Sequence, residues 1–159
     1  MTDAPPEAPS ASVAPALRDR AEVETVGVEQ RAETELGRMA AAISRLEPPL
    51  ADRQPAVVVA AGDGNAALGA ALVAAKLGLP VARVGAGVRT GDRHDPAEVN
   101  RVVADHVCDL LLCAGERELD NLAREGLAYK AEVVIDAPGA GSATAAAIVA
   151  WAGSYTSGA

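Results

Sequence analysis

Residues 56–88, AVVVAAGDGNAALGAALVAAKLGLPVARVGAGV, decide how the rest of the chain is read. AVVVAA (56–61) is a short, continuous apolar run rich in β-branched side chains, and it runs straight into the turn-forming GDGN (62–65). AALGAALVAAKLG (66–78) predicts a helix of small residues closed by Gly78, and PVARVGAG (80–87) predicts a second strand ending in glycines. A strand, a helix and another strand in so short a length imply two parallel strands joined by a right-handed crossover.

The alternation continues downstream. DPAEVNRVVADHV (95–107) predicts a helix with Asp95 at the N-cap, Pro96 in the first turn and Glu98 at the capping-box position. CDLLLCAG (108–115) predicts a third strand, ERELDNLAREG (116–126) a helix ended by Gly126, and AEVVIDAPG (131–139) a fourth strand. An Ala-rich helix is expected from about Ser142 to Trp151, before a Gly/Ser tail. Upstream, Leu36, Met39, Ala40, Ile43 and Leu46 recur at helical spacing, in a helix expected from Glu29 and ending before Pro48 and Pro49. Continuous apolar strands alternating with helices specify an α/β, three-layer Rossmann-like fold of about four parallel strands flanked by helices. The expected organisation is a disordered Pro/Ala-rich tail over 1–28, the α/β domain over 29–153 and a flexible tail over 154–159.

Composition narrows the function classes. The chain has 159 residues, enough for one domain with a real core, but no Phe and only 2% aromatic residues, so that core is built from Ala, Val and Leu. A formal charge of -8 argues against nucleic acid and anionic membrane surfaces as partners. The most apolar stretch, Ala66 to Val88, is broken by Lys76, Gly78, Pro80 and Arg83 and is no membrane span. With no basic region followed by an apolar run at the start, a cytoplasmic location is expected. Cys108 and Cys113 are too few for a disulfide framework, and their odd spacing in a strand is expected to put them on opposite faces.

In parallel sheets ligands bind beyond the carboxyl ends of the strands. The segments there are GDG (62–64), GAGVRTG (85–91), AGE (114–116) and DAPG (136–139), and any site is expected to be assembled from them. Candidate ligand-binding residues are Gly62, Gly64, Arg89, Thr90, Gly91 and Glu116; candidate catalytic residues are Asp63, His94 and Asp95. Asp63 also reads as a turn or capping aspartate ahead of Asn65. Arg89 and Thr90 lie in a glycine-rich loop suited to an anion, or to an inherited turn, without the spacing of a dinucleotide or phosphate-loop fingerprint. His94 sits on the same rim beside an N-cap, where an exposed loop histidine is the simpler reading. His106 falls inside a helix as a packing or surface residue, and Trp151, the single Trp, suits either a cover for the sheet or an anchor for a partner. No His/Cys/Asp spacing resembles a metal site, and no cofactor is expected.

In order and spacing, GDGNAALGAALVAAKLGLPVARVGAGVRTGD and PAEVNRVVADHVCDLLLCAGERELDNLAREGL resemble the N-terminal domain of the non-hydrolysing UDP-N-acetylglucosamine 2-epimerases, over about Gln30 to Asp136. The family pattern is HGDT, a small-residue helix, a VEAGLRTGD loop, PEE-NR, a strand into PTE with NLL-EG, and GN--ID. The resemblance assigns the HGDT aspartate, a proposed catalytic residue of the family, to Asp63, with Ala61 and Gly64 in place of its His and Thr. It puts Gly85 where the family has the Glu of VEAG, and Ala97 where it has the first Glu of PEE, both proposed acid/base groups; the second is kept as Glu98, after a loop two residues shorter. Gly115 replaces the Thr of PTE.

The resemblance also implies an opening strand and phosphate-side loop before Glu29, and a second domain with most UDP contacts and a further His after Ala159; the chain therefore reads as roughly half of an epimerase N-terminal domain. Family chemistry, elimination of UDP and its re-addition with inversion at C2, needs a base, an acid and donors for the leaving diphosphate. Without the two glutamates the chain is expected to be inactive alone, a pseudoenzyme acting by association: a homodimer, or a complex with an epimerase-like or other sugar-nucleotide enzyme. Two other readings stay open. One is a small enzyme repurposed around Asp63, Arg89, His94 and Asp95; the other is half of a split epimerase.

Overall fold

The computed structural model describes residues 9–24, 26, 33–136 and 141–156. Its elements in order are α1 (Pro9–Arg18), α2 (Glu35–Arg53), β1 (Val58–Ala61), α3 (Asn65–Leu77), β2 (Val81–Val84), α4 (Pro96–Val107), β3 (Leu110–Cys113), α5 (Glu116–Arg124), a 3-10 turn (Ala128–Lys130), β4 (Ala131–Val133) and α6 (Ser142–Thr156). The strands form one sheet in the order β1-β2-β3-β4, every pair parallel, with Val58 opposite Val81, Ala82 opposite Leu110 and Leu111 opposite Ala131. The α/β fold read from the sequence is the fold of the molecule.

Side chains alternate across each strand and fill two cores. Val58, Ala60, Val81, Leu111 and Cys113 pack with residues of α2 to α5, among them Leu46, Leu68, Ala104 and Leu122. Ala82, Val84, Leu110 and Leu112 pack on the opposite face with Val13 and Leu17 of α1 and Ala145 and Ile148 of α6. With few large side chains, close approach replaces bulk: a Cβ at Gly69 would come 3.3 Å from the Ala42 side chain, so α3 sits tightly on α2.

Several sequence expectations are corrected. Part of the tail expected to be disordered is α1, a helix whose Val13 and Leu17, one turn apart, are 4% and 6% exposed. Pairing with α6 makes up for what composition withholds, since a helix of this length is not stable alone. Helix α2 begins at Glu35, where Thr34 Oγ1 accepts from Gly37 N at 3.0 Å, and residues 29–32 of the expected start lie outside the described residues. It does not stop at Pro48 but continues through Pro48 and Pro49 to Arg53. Burial of Leu46 and Leu50 on either side of the prolines, with Gln54 capping in the left-handed region onto the Leu50 carbonyl, outweighs the lost ladder bonds. Of the expected apolar stripe, Met39, Ile43 and Leu46 do pack on the core, joined by Ala42 and Leu50, whereas Leu36 is 81% exposed and Ala40 is exposed as well.

At the other end α6 runs to Thr156 rather than Trp151, so 154–156 are helical and not a flexible tail; residues 157–159 lie outside the described residues. Strands are shorter than the apolar runs that announced them. Cys108 is the C-cap of α4 and not a strand residue, so it and Cys113 share one core rather than opposite faces. Both thiols are free, and burial pushes them up to about 12 and about 11. Among the described residues no helix is long and apolar enough to cross a membrane.

Candidate functional site

The carboxyl ends of β1 and β2 and the start of α4 meet in a cluster of charge. Glu98, Arg101 and Asp105 lie one or two turns apart on α4 and face the sheet, 1%, 7% and 0% exposed. Arg101 Nη1 donates to Asp63 Oδ2 at 2.8 Å, its Nη2 reaches Asp95 Oδ2 at 3.3 Å, and its Nε donates to Glu98 Oε2 at 3.0 Å. One guanidinium thus gathers carboxylates from the β1 turn, the α4 cap and the first turn of α4.

Glu98 fixes the loop after β2. Its carboxylate accepts from Thr90 N at 3.1 Å and Gly91 N at 2.9 Å. Burial works to raise its pKa, yet the Gly91 and Thr90 N–H groups and Arg101 hold it down to about 2. The capping-box role expected of Glu98 is therefore not what its side chain does. Asp95 does cap α4, accepting from Ala97 N at 3.0 Å, with Pro96 next in line.

A second network lies beneath the same loop. Asp105 Oδ2 accepts from Gly87 N at 2.9 Å and from Arg89 Nη1 at 2.8 Å. Arg83, an arginine 1% exposed in the middle of β2, places Nε 3.4 Å from Asp105 Oδ1 and donates through Nη1 to the Ala60 and Val84 carbonyls. The two atoms at 3.4 Å have no other hydrogen-bond partner and pair only by charge. Arg89 closes the network with a two-pronged contact to Glu125, Nε and Nη2 each at 2.7 Å. Burial opposes its charge, but Glu125 and Asp105 outweigh burial and push the guanidinium further up.

These commitments change the standing of the sequence candidates. Arg89 gives four donated hydrogen bonds to Glu125, Asp105 and the Val88 carbonyl, and the Thr90 and Gly91 amides point at Glu98, so the loop is folded around the protein's own carboxylates and not presented to an anion. Asp63 is not a helix cap: Gly64 holds that position, and the Asp63 carboxylate, still half exposed, goes to Arg101. Gly62 takes a φ of +91° to turn the chain out of β1. His94 is exposed, its backbone N–H bonded to Asp92 Oδ1 at 2.9 Å, and Glu116 is exposed in the first turn of α5. The structure brings Asp63 and Asp95 together on Arg101; it places neither His94 nor Glu116 in either network.

Sequence reading passed over Arg101, Asn100, Asn65, Arg83, Asp105 and Glu125. Asn100 Nδ2 donates to the Asp63 carbonyl at 3.0 Å and to Asn65 Oδ1 at 3.2 Å, while Asn65 donates to Glu35 Oε1 at 2.7 Å, tying the starts of α2, α3 and α4 together. The i, i+3, i+7 spacing of Glu98, Arg101 and Asp105 was the available signal: polar residues on the face a helix turns to a sheet need partners there. Among the described residues no group of three or more His, Cys, Asp or Glu side chains is placed to hold a metal.

Comparison with known proteins agrees with this architecture. A sequence model of the UDP-N-acetylglucosamine 2-epimerases matches residues 20–141. The UDP-N-acetylglucosamine 2-epimerase of Methanocaldococcus jannaschii is 46% identical over 82 residues, 52% of this chain and 22% of the relative. A Pseudomonas aeruginosa UDP-2,3-diacetamido-2,3-dideoxy-D-glucuronate 2-epimerase is 36% identical over 100 residues, 63% of this chain and 27% of the relative. The chain thus spans about a quarter of the length of these curated relatives. Among solved structures, the M. jannaschii enzyme in complex with UDP-GlcNAc and UDP superposes with a TM-score of 0.63 at 40% identity, over 65% of this chain and 29% of that one. The S. aureus MnaA-UDP structure, at 23% identity, shares the fold with a TM-score of 0.70 over 86% of this chain and 42% of its own. With the family pattern matched across most of its length, from before α2 to the start of α6, the chain belongs to the UDP-N-acetylglucosamine 2-epimerase family.

Proposed function

We propose that this chain is a non-catalytic, epimerase-like module of the cytoplasm that acts by association, with a second copy of itself or with an epimerase-like sugar-nucleotide enzyme. The observation that carries this reading is the state of the strand-end carboxylates. At the two positions where the resemblance puts the family's acid/base glutamates stand Gly85 and Ala97, which have no proton to give or take. The carboxylates that remain nearby, Asp63, Asp95 and Glu98, are held on Arg101, and a Glu98 poised at about 2 is a poor base at neutral pH. Packing, by contrast, is retained, with a buried apolar cluster on each face of the sheet among the described residues. The repurposed-enzyme reading finds less support, because Arg89 is spent on Asp105 and Glu125.

The test is exchange of the C2 proton of UDP-N-acetylglucosamine in deuterated water, followed by NMR with the purified chain at high concentration. No exchange above the protein-free rate is expected. Exchange or C2 inversion that is lost in Asp63→Asn overturns the proposal and makes the chain an enzyme. Association is read separately, by light scattering of the chain alone and mixed with a full-length epimerase.

A further inference from the structure

The turn from β1 into α3, Gly62-Asp63-Gly64, contains the one Asp-Gly step of the chain, and the sequence has no Asn-Gly step. Before a glycine, an aspartyl side chain is open to attack by the following backbone nitrogen, because there is no Cβ to obstruct the approach or to narrow the backbone's range. The fold leaves that approach clear. Residues 62–64 are bends that belong to neither strand nor helix. The Asp63 side chain is 58% exposed, a Cβ on Gly64 would meet nothing within 4 Å, and the Gly64 N–H has no hydrogen-bond partner among the described residues. Two contacts latch the turn: Arg101 Nη1 donates to Asp63 Oδ2 at 2.8 Å, and Asn100 Nδ2 donates to the Asp63 carbonyl at 3.0 Å. Both come from α4, and neither involves the Gly64 nitrogen.

We propose that Asp63–Gly64 is a site of covalent self-modification, at which the aspartyl residue of the folded chain converts to isoaspartyl, and that the Arg101–Asp63 ion pair sets the rate. The Gly64 nitrogen attacks Cγ of the Asp63 carboxylic acid. The N–Cγ bond forms, the nitrogen gives up its proton, and the Cγ–OH bond breaks with loss of one water, closing a succinimide ring. Water then adds back. Addition at Cγ restores Asp63; addition at the main-chain carbonyl carbon breaks its bond to the Gly64 nitrogen and leaves the backbone running through Cβ and Cγ. The mass is unchanged, and nothing but water is consumed and returned. While the carboxylate is held on Arg101 the ring cannot close, so conversion passes through an opened turn, a local event that requires less than global unfolding. The product has an extra carbon in the main chain and its carboxylate displaced from Arg101. Asn100 bonds both the Asp63 carbonyl and Asn65, which in turn bonds Glu35, so the change loosens the node that ties the starts of α2, α3 and α4. None of this depends on the reading of the chain as an associating module.

The full chain is held for several weeks at neutral pH and physiological temperature, folded and in parallel in urea, and the peptide spanning residues 62–64 is followed by chromatography and mass spectrometry. The expected result is a second peptide of equal mass that resists a protease cutting before aspartate. It forms in the folded wild type at residue 63, at least about tenfold more slowly than in urea, because the latch must open first. Gly64→Ala fits the turn, where φ is -82° and the space is open, and is expected to slow conversion by about tenfold or more in a chain that still folds. Asp63→Asn closes the same ring with loss of ammonia and cannot form the ion pair, so its folded and urea rates are expected to converge. A folded wild type free of isoaspartate after the urea sample has converted overturns the site, as does conversion that Gly64→Ala leaves unchanged. Equal folded and urea rates in wild type, or a gap between them in Asp63→Asn as wide as in wild type, overturn Arg101 as the group that sets the rate.

Discussion

Two glycines in the loop after β2 share a left-handed backbone and differ in everything around it. A Cβ at Gly87, φ +81°, would stand 2.4 Å from the Glu118 carbonyl oxygen; one at Gly85, φ +76°, would meet nothing within 4 Å. Gly85→Ala therefore carries only the conformational cost, about 1 kcal/mol, whereas Gly87→Ala adds a clash with backbone and is expected to cost roughly 3 kcal/mol or more in urea denaturation. Comparable losses for both would mean the contact with α5 does not constrain the loop. Glu98→Gln removes the charge that holds Thr90, Gly91 and Arg101 together, and about 3 kcal/mol is expected to go with it at neutral pH. The pH dependence has a definite sign. The folded carboxyl lies at about 2, below its unfolded value, so its contribution is complete above the ordinary carboxylate range and is lost as pH falls through that range toward 2. Denaturation curves of wild type and Glu98→Gln are expected to converge on acidification; a constant gap down to pH 2 would contradict the assignment. Asp95 as a cap was legible because its partner is two residues away. The Arg101 partner of Glu98 lies at the local i, i+3 spacing, but its amide partners Gly91 and Thr90 lie seven and eight residues back in a loop, and no local rule points to them.

Among the elements, α6 depends on a residue outside itself. Asp136, after β4, accepts from Ala143 N at 2.7 Å and Thr144 N at 3.0 Å and so satisfies donors at the start of α6. Burial opposes its ionisation, but the Thr144 hydroxyl and these amides keep its pKa below the usual value. Asp136→Ala is expected to cost about 1–2 kcal/mol, seen as a lower melting temperature with earlier hydrogen exchange in α6. Unchanged exchange in α6 would show that packing on Ala82, Val84 and α1 holds it unaided. The elements from β1 to α5 were readable from period and punctuation because β1 and β3 lie in β-branched or leucine runs, while α3 and α5 end at Gly78 and Gly126 and α4 starts at its own Asp95 cap. The prolines misled for α2, since a local rule cannot see Leu46 and Leu50 being buried on either side of them.

At the scale of the whole molecule, the sheet has two apolar faces, and the second is closed by helices from the two ends of the chain. Helix α1 is short, carries Pro15 in its middle and is anchored by two side chains. Val13→Asp with Leu17→Asp is expected to release it and expose Val84 and Leu112, giving enhanced binding of an apolar fluorescent dye and loss of roughly 3–6 kcal/mol. A double variant with wild-type dye binding and stability would show that α6 alone covers the face.

The order of elements from α2 to α6, the parallel pairing of the strands, the family and the Asp95 cap were legible in the residues alone, because each is written in neighbouring residues or in a linear motif. Tertiary structure decided that residues near the start of the chain fold back as α1, that α2 continues through two prolines, and that Arg89 serves Asp105 and Glu125 instead of an open site. These outcomes depend on which groups, distant in sequence, are brought out of water together. A buried charge must find its partner wherever the fold has put one.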